Sequence, residues 1–125
     1  WMKVLLNIAI NPIAALTGVT NGELLGPDLF SSALETMLEG ARIARQERVL
    51  LPDDLELEQR LQHVLEATAG NHCSMLQDVR AGRITEIAFL NRAVVERGER
   101  LGVAAPMNQM LSAMIEALTP GPSQH

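Results

Sequence analysis

Lys3, Asn7 and Asn11 interrupt an otherwise apolar opening, Trp1-Met2-Lys3-Val4-Leu5-Leu6-Asn7-Ile8-Ala9-Ile10-Asn11, that runs up to Pro12. They recur every fourth residue. Four helical residues advance about 400°, a drift of only ~40° per step, so on a helix the three form one narrow polar stripe. Val4, Leu5, Leu6, Ile8 and Ile10 cover the rest of the surface, and a helix apolar nearly all round is a buried one. A buried Lys or Asn left unpaired costs several kcal/mol. The stripe must therefore face a cleft or a ligand, or be met by carboxylates from elsewhere in the chain. The same residues allow a plainer reading. Asn before Pro is a helix-start signature, with Asn as N-cap and Pro at the first helical position. Lys3 would then snorkel from the end of a short helix, and Pro12 to Thr17 would form a second one, stopped at Gly18.

At 125 residues, 47% of them hydrophobic, the chain has the length of one domain and ample material for a core. With two Phe, one Trp and no Tyr, that core must be built from Leu, Ile, Val, Met and Ala, a palette that favours an all-α domain. The net charge of −5 argues against nucleic acid as a partner, and no apolar run approaches the length of a membrane span. One cysteine excludes an internal disulfide and suits a reducing cytoplasm. A chain that opens on Trp-Met and enters a buried-type helix at once reads as a piece of something longer.

Spacing predicts a long amphipathic helix from Asp28 to about Val49, with Leu29, Phe30, Ala33, Leu34, Met37, Leu38 and Ala41 on one face and Glu39 in a solvated ion pair. A helix over 54–68 follows, begun by Asp53 or Asp54 and ended at Ala69-Gly70-Asn71. His63 on it has no ligand-forming neighbour, so no metal is expected. Ser74 with Gln77 three residues later predicts a capping box and a short helix ending at Gly82. Thr85 is placed as N-cap of a long helix reaching Leu101, and Pro106 begins the last one, through Met110, Leu111, Met114, Ile115 and Leu118. Residues 120–125 read as a frayed tail. The expected architecture is a compact bundle of about six or seven helices.

Taken together, Lys3-x-x-x-Asn7-x-x-x-Asn11-Pro12, Asn21-Gly22-Glu23-Leu24 and the stretch from Ser74-Met75-Leu76-Gln77-Asp78-Val79 through Ala81-Gly82-Arg83 to Thr85-Glu86-Ile87 resemble the C-terminal domain of ketopantoate reductases. Gly102-Val103-x-x-Pro106-x-Asn108 fits that family's closing helix. The resemblance covers residues 1–119 in the right order. It implies reduction of 2-dehydropantoate to pantoate with NADPH, on the route to pantothenate and coenzyme A.

In such enzymes a Rossmann domain carries the cofactor and the helical domain closes the active site. This chain has no G-x-G-x-x-G fingerprint, so it resembles the second domain only and is expected to be inactive alone. By position, Lys3 resembles the catalytic lysine, an ammonium that stabilises the developing alkoxide and donates a proton. Asn7 and Asn11 resemble the substrate-binding asparagines, and Ser74 the residue that bonds the substrate carboxylate. Glu86 resembles the functional glutamate at the junction of cofactor and substrate. Asp78 and Arg83 are expected to form a structural ion pair.

The partners implied are a keto acid, the N-terminal Rossmann domain and a further copy in a homo-oligomer, with neither nucleic acid nor membrane. A related 2-keto acid or opine-type reductase and a non-catalytic helical dimerisation module are the competing functions. A mean hydropathy of +0.10 is high for a small domain and predicts that the chain alone self-associates.

Overall fold

The computed structural model describes residues 1–118, and the predicted tail at 120–125 lies outside them. Six α-helices account for the fold: α1 (Met2–Thr17), α2 (Pro27–Gln46), α3 (Asp54–Ala67), α4 (Ser74–Arg80), α5 (Asn91–Leu101) and α6 (Pro106–Leu118). Short 3-10 turns at Asn21–Leu25 and Ile87–Phe89 join them, and there is no strand among the described residues. The all-α bundle is as the composition predicts.

α1 is the central element and packs on α2, α4 and α6. Its Leu5, Ile8, Ala9 and Ala14 are wholly buried. It approaches α2 closely at Gly40, where an added Cβ would lie 2.6 Å from Ile8 Cδ1 and 2.9 Å from Leu5 Cδ2. α1 does not end at Pro12. It runs through the proline to Thr17 and stops where Gly18 takes the left-handed conformation (φ 73°) and donates to Ala14 O at 2.8 Å.

An interior proline removes one helical hydrogen bond and costs about 3 kcal/mol. Here the deprived acceptor is the Ile8 carbonyl, four residues back. Asn91 Nδ2 donates to it at 3.1 Å, which is why the helix survives and the two-helix reading fails.

Asn91 belongs to a buried polar cluster that joins four helices. Its Nδ2 also donates to Asn108 Oδ1 at 2.9 Å. Asn108 Nδ2 donates to Thr36 O at 3.1 Å and to Glu39 Oε1 at 2.9 Å. Glu39 also accepts from the backbone N–H groups of Met107 and Asn108, at 2.9 and 3.0 Å. It is therefore no surface ion pair. From α2 it caps the first turn of α6, where Pro106 needs no partner and the next two N–H groups do.

Several other expectations are corrected in the same way. The long helix expected after Thr85 and reaching Leu101 does not form as one piece. Leu90 (φ −112°, ψ −98°) breaks the path, and Thr85 Oγ1 accepts from Ile87 N at 3.3 Å to close a 3-10 turn instead of capping an α-helix. α3 ends at Thr68, which turns its hydroxyl onto Val64 O at 2.7 Å, so Gly70 plays no capping part. On α6 the buried residues are Asn108, Leu111, Ser112 and Ile115, while Met110, Met114 and Leu118 are exposed. The Asn–Glu39 cluster claims the inward face and rotates those side chains outward. Asp78 and Arg83 do form the expected ion pair, at 3.0 Å.

Candidate functional site

Continuity of α1 keeps Lys3, Asn7 and Asn11 on one helix, about 6 Å of rise apart. Burial deepens along the stripe: Lys3 is exposed, Asn7 is half-buried and Asn11 is buried at 9% exposure. Lys3 is also the only lysine in the chain, the other nine basic residues all being arginine. Arg45, Arg60, Arg83, Arg92 and Arg97 are held in ion pairs of 2.7–3.0 Å. Lys3 has no ion pair among the described residues.

The start of α4 lies against the deep end of the stripe. Cys73 Sγ donates to Asn11 O at 3.6 Å and accepts from Leu76 N at 3.4 Å. Cys73 is thus the N-cap of α4, and Ser74 is its first helical residue. The predicted capping box is absent because the buried thiol serves as the cap. The exposed Ser74 hydroxyl is left with no partner among the described residues. Burial raises the Cys73 thiol above its ordinary range, and the Leu76 N–H only partly opposes this.

Two expectations follow for Cys73. A thiol-specific disulfide reagent should label it at pH 7.5 roughly a hundredfold more slowly in the native chain than in urea. A raised folded-state value also means that its contribution to stability is intact below the unfolded thiol value of about 8.5 and declines as pH rises through the folded one. Labelling at the unfolded rate would contradict the burial.

Glu86 lies beyond the other end of the stripe. It immediately precedes the 3-10 turn Ile87–Phe89 and makes no capping bond with its side chain. Phe89 and Leu90 share a groove of about 270 Å³ with Trp1, Val4 and Arg97, so this turn stands beside the N-terminal turn of α1, although Lys3 itself does not line the groove. Arg97 lies over the Trp1 ring at 5.3 Å and bonds Glu47 Oε1 at 2.7 Å. Glu86 is exposed and forms no ion pair with Lys3 within 4 Å. The rim around it is apolar, with Phe89 81% and Ile84 79% exposed.

The five residues singled out in the sequence share one property. Among the described residues, the side chains of Lys3, Asn7, Asn11, Ser74 and Glu86 make no hydrogen bond or ion pair with the rest of the chain. For Lys3 or Glu86 that is ordinary surface behaviour. Asn11 is only 9% exposed as a residue, yet its side-chain amide still reaches the surface, since the buried side-chain atoms without a partner among the described residues are Asn21 Oδ1 and Asn91 Oδ1. Asn91, to which no role was assigned from the sequence, Asn108, noted there only within the closing-helix motif, and Glu39, expected there in a solvated ion pair, are buried and bonded within the chain. The ammonium, two amides, hydroxyl and carboxylate of the first five are thus not engaged within the described chain.

The family model described as "Ketopantoate reductase PanE/ApbA C terminal" matches residues 1–119. The 2-dehydropantoate 2-reductase of Pyrococcus horikoshii is 39% identical over 118 residues, 94% of this chain and 38% of that protein. The Vibrio cholerae enzyme of the same name is 36% identical, again over 94% of this chain and 40% of its own length. The chain thus spans about two fifths of the length of the curated relatives it matches. Among solved structures, a PanE/ApbA family ketopantoate reductase from Ralstonia eutropha superposes with a TM-score of 0.87 at 33% identity, covering 94% of this chain and 39% of that one. D-mandelate dehydrogenase, in a ternary structure with NADH and anilino(oxo)acetate, gives a TM-score of 0.87 at 26% identity, over 94% of this chain and 65% of that one.

Proposed function

Because the chain belongs to the ketopantoate reductase family, matching its C-terminal domain over residues 1–119, we propose that it is the substrate-binding half of an NADPH-dependent reductase. The reaction is reduction of 2-dehydropantoate to pantoate, on the route to pantothenate and coenzyme A. The observation that carries this reading is the unpartnered stripe of Lys3, Asn7 and Asn11 with Ser74 beside its deep end.

The nicotinamide cofactor supplies the hydride when bound. It does not fit this chain as a main binding site. There is no strand among the described residues, hence no strand-to-helix glycine turn of the kind that cradles a pyrophosphate. A Rossmann domain N-terminal to this one holds it, and Glu86 is this chain's contact with the junction of cofactor and substrate. That domain covers the apolar rim of Trp1, Val4, Ile84 and Phe89, and its closure excludes water from Lys3.

In the reaction, Ser74 Oγ donates to the substrate carboxylate, while Asn7 and Asn11 orient its keto and hydroxyl oxygens. As C2 accepts hydride, negative charge grows on the keto oxygen. The Lys3 ammonium stabilises that charge and transfers a proton to it, giving the alcohol and a neutral amine that water reprotonates. The free, buried Cys73 suits a reducing cytoplasm. Met110, Met114 and Leu118 leave α6 an apolar face for a second subunit to cover.

The D-mandelate dehydrogenase likeness supports a second reading, reduction of another 2-keto acid on the same scaffold. NADPH oxidation by the full-length protein, followed by absorbance with ketopantoate and a panel of other 2-keto acids, decides between them. Ketopantoate is expected to give the highest kcat/KM, and the 125-residue chain alone to give no turnover. Turnover with another keto acid only would overturn the substrate. No turnover with any, by a folded protein, would leave a helical dimerisation module.

A further inference from the structure

We propose that Asn91 is a positioning residue for the Lys3–Asn7–Asn11 stripe. Its amide replaces the N–H that Pro12 lacks and so fixes the direction of the Lys3 half of α1. The kinetic part of this inference rests on the reductase reading; the structural part rests on geometry alone.

In an uninterrupted helix the Ile8 carbonyl would accept from the N–H of residue 12. Pro12 has none, and a proline ring crowds the carbonyl four residues back. Ile8 is wholly buried, so water is no substitute and another donor is required. Asn91 Nδ2 supplies it at 3.1 Å.

That amide is itself held. Its nitrogen also donates to Asn108 Oδ1 at 2.9 Å, and Asn108 is anchored to Thr36 O and Glu39 Oε1. Asn91 Oδ1, by contrast, is buried with no partner. Turning the amide over would place its oxygen against two acceptors, so serving both of them leaves the oxygen orphaned. The orientation of the side chain is therefore set by what its nitrogen does.

Ile8 follows Asn7 directly and precedes Asn11 by one turn. Lys3 and Asn7 lie before the missing Ile8–Pro12 hydrogen bond, while Asn11 lies within its span, with the start of α4 bonded to its carbonyl. A swing of the first half of α1 would displace the ammonium from Asn11 and Ser74 without altering any of them. Misplacement by about 1 Å is enough to cost roughly a hundredfold in rate.

The test uses the full-length reductase carrying Asn91→Ala, alone and with Pro12→Ala, which restores a backbone donor to Ile8. Asn91→Ala is expected to lower kcat about 10- to 100-fold and to raise KM for the keto acid, with KM for NADPH unchanged. The double variant should recover most of that loss. Amide hydrogen exchange gives a reading that needs no turnover. Exchange in the first half of α1 should be faster in Asn91→Ala and return towards wild type in the double variant.

Wild-type exchange or wild-type kinetics in Asn91→Ala would overturn the proposal. So would a double variant that folds or turns over no better than the single one. If the wild type itself reduces no keto acid, the reductase reading falls, and the exchange measurement alone decides whether Asn91 holds the helix.

Discussion

Replacing Lys3 by alanine in the full-length reductase is expected to lower kcat by about 10² to 10⁴, the range associated with losing a positioned general acid. The unfolding midpoint should barely move. Lys3 is exposed and unpaired among the described residues, and surface substitutions of that kind fall within roughly ±0.5 kcal/mol. This combination separates chemistry from folding. Lys3→Arg sharpens it, because a guanidinium keeps the charge and cannot give up a proton at any accessible pH. If Lys3 acts as the acid, the arginine variant should be nearly as slow as the alanine one. If it acts only as a charge, much of the rate should return. An alanine variant that turns over like wild type would remove the lysine from the mechanism.

Glu39→Ala is expected to have the largest effect on stability, a loss of about 3 kcal/mol. The carboxylate accepts three hydrogen bonds, from Met107 N, Asn108 N and Asn108 Nδ2, and is only 4% exposed. Bonds to a charged acceptor are worth about 1.5–3 kcal/mol each, and truncation leaves the first turn of α6 uncapped inside the protein. Glu39→Gln retains one acceptor oxygen but sets an NH₂ against a backbone N–H, so about 1–2 kcal/mol is expected from that change. Equilibrium unfolding in urea reads both. A loss below about 1 kcal/mol for Glu39→Ala would mean that water reaches the end of α6 and that the capping has been overvalued.

The features legible in the sequence are those decided within one or two turns. The periodicity of α2 and α3, the stops at Gly18 and Gly102 and the stripe on α1 are local, and each has its counterpart in the structure. What escaped the reading depends on partners far away in the chain. Nothing near Pro12 shows that α1 continues, because the replacement donor is 83 residues from the carbonyl it serves. Glu39 resembles a solvated acid by its spacing to Arg42, yet it caps a helix by accepting from an N–H 68 residues later. Ser74 is the better N-cap by intrinsic preference, but Cys73 has the role because the fold buries its sulfur against Asn11. Met110 and Met114 have the right chemistry for a core and Asn108 the wrong one. The polar cluster reverses their places. The stripe itself is visible because four-residue spacing on one helix is enough to align Lys3, Asn7 and Asn11, whereas no local spacing relates Ser74 or Glu86 to them.

The free stripe has a consequence for how such a scaffold changes over time. The side chains of Asn7, Asn11 and Ser74 bond to nothing else among the described residues, so on the proposed substrate-binding role exchanging them would alter what is recognised at little cost in side-chain hydrogen bonds. Asn91, Asn108 and Glu39 have no such freedom. On that proposed role, residues open to selection for new substrates and residues that keep the domain folded would be largely separate sets. A library randomised at positions 7, 11 and 74 should consequently yield mostly folded proteins, whereas one at 39, 91 and 108 should not. Divergence of this kind would leave one helical frame beneath different substrate specificities.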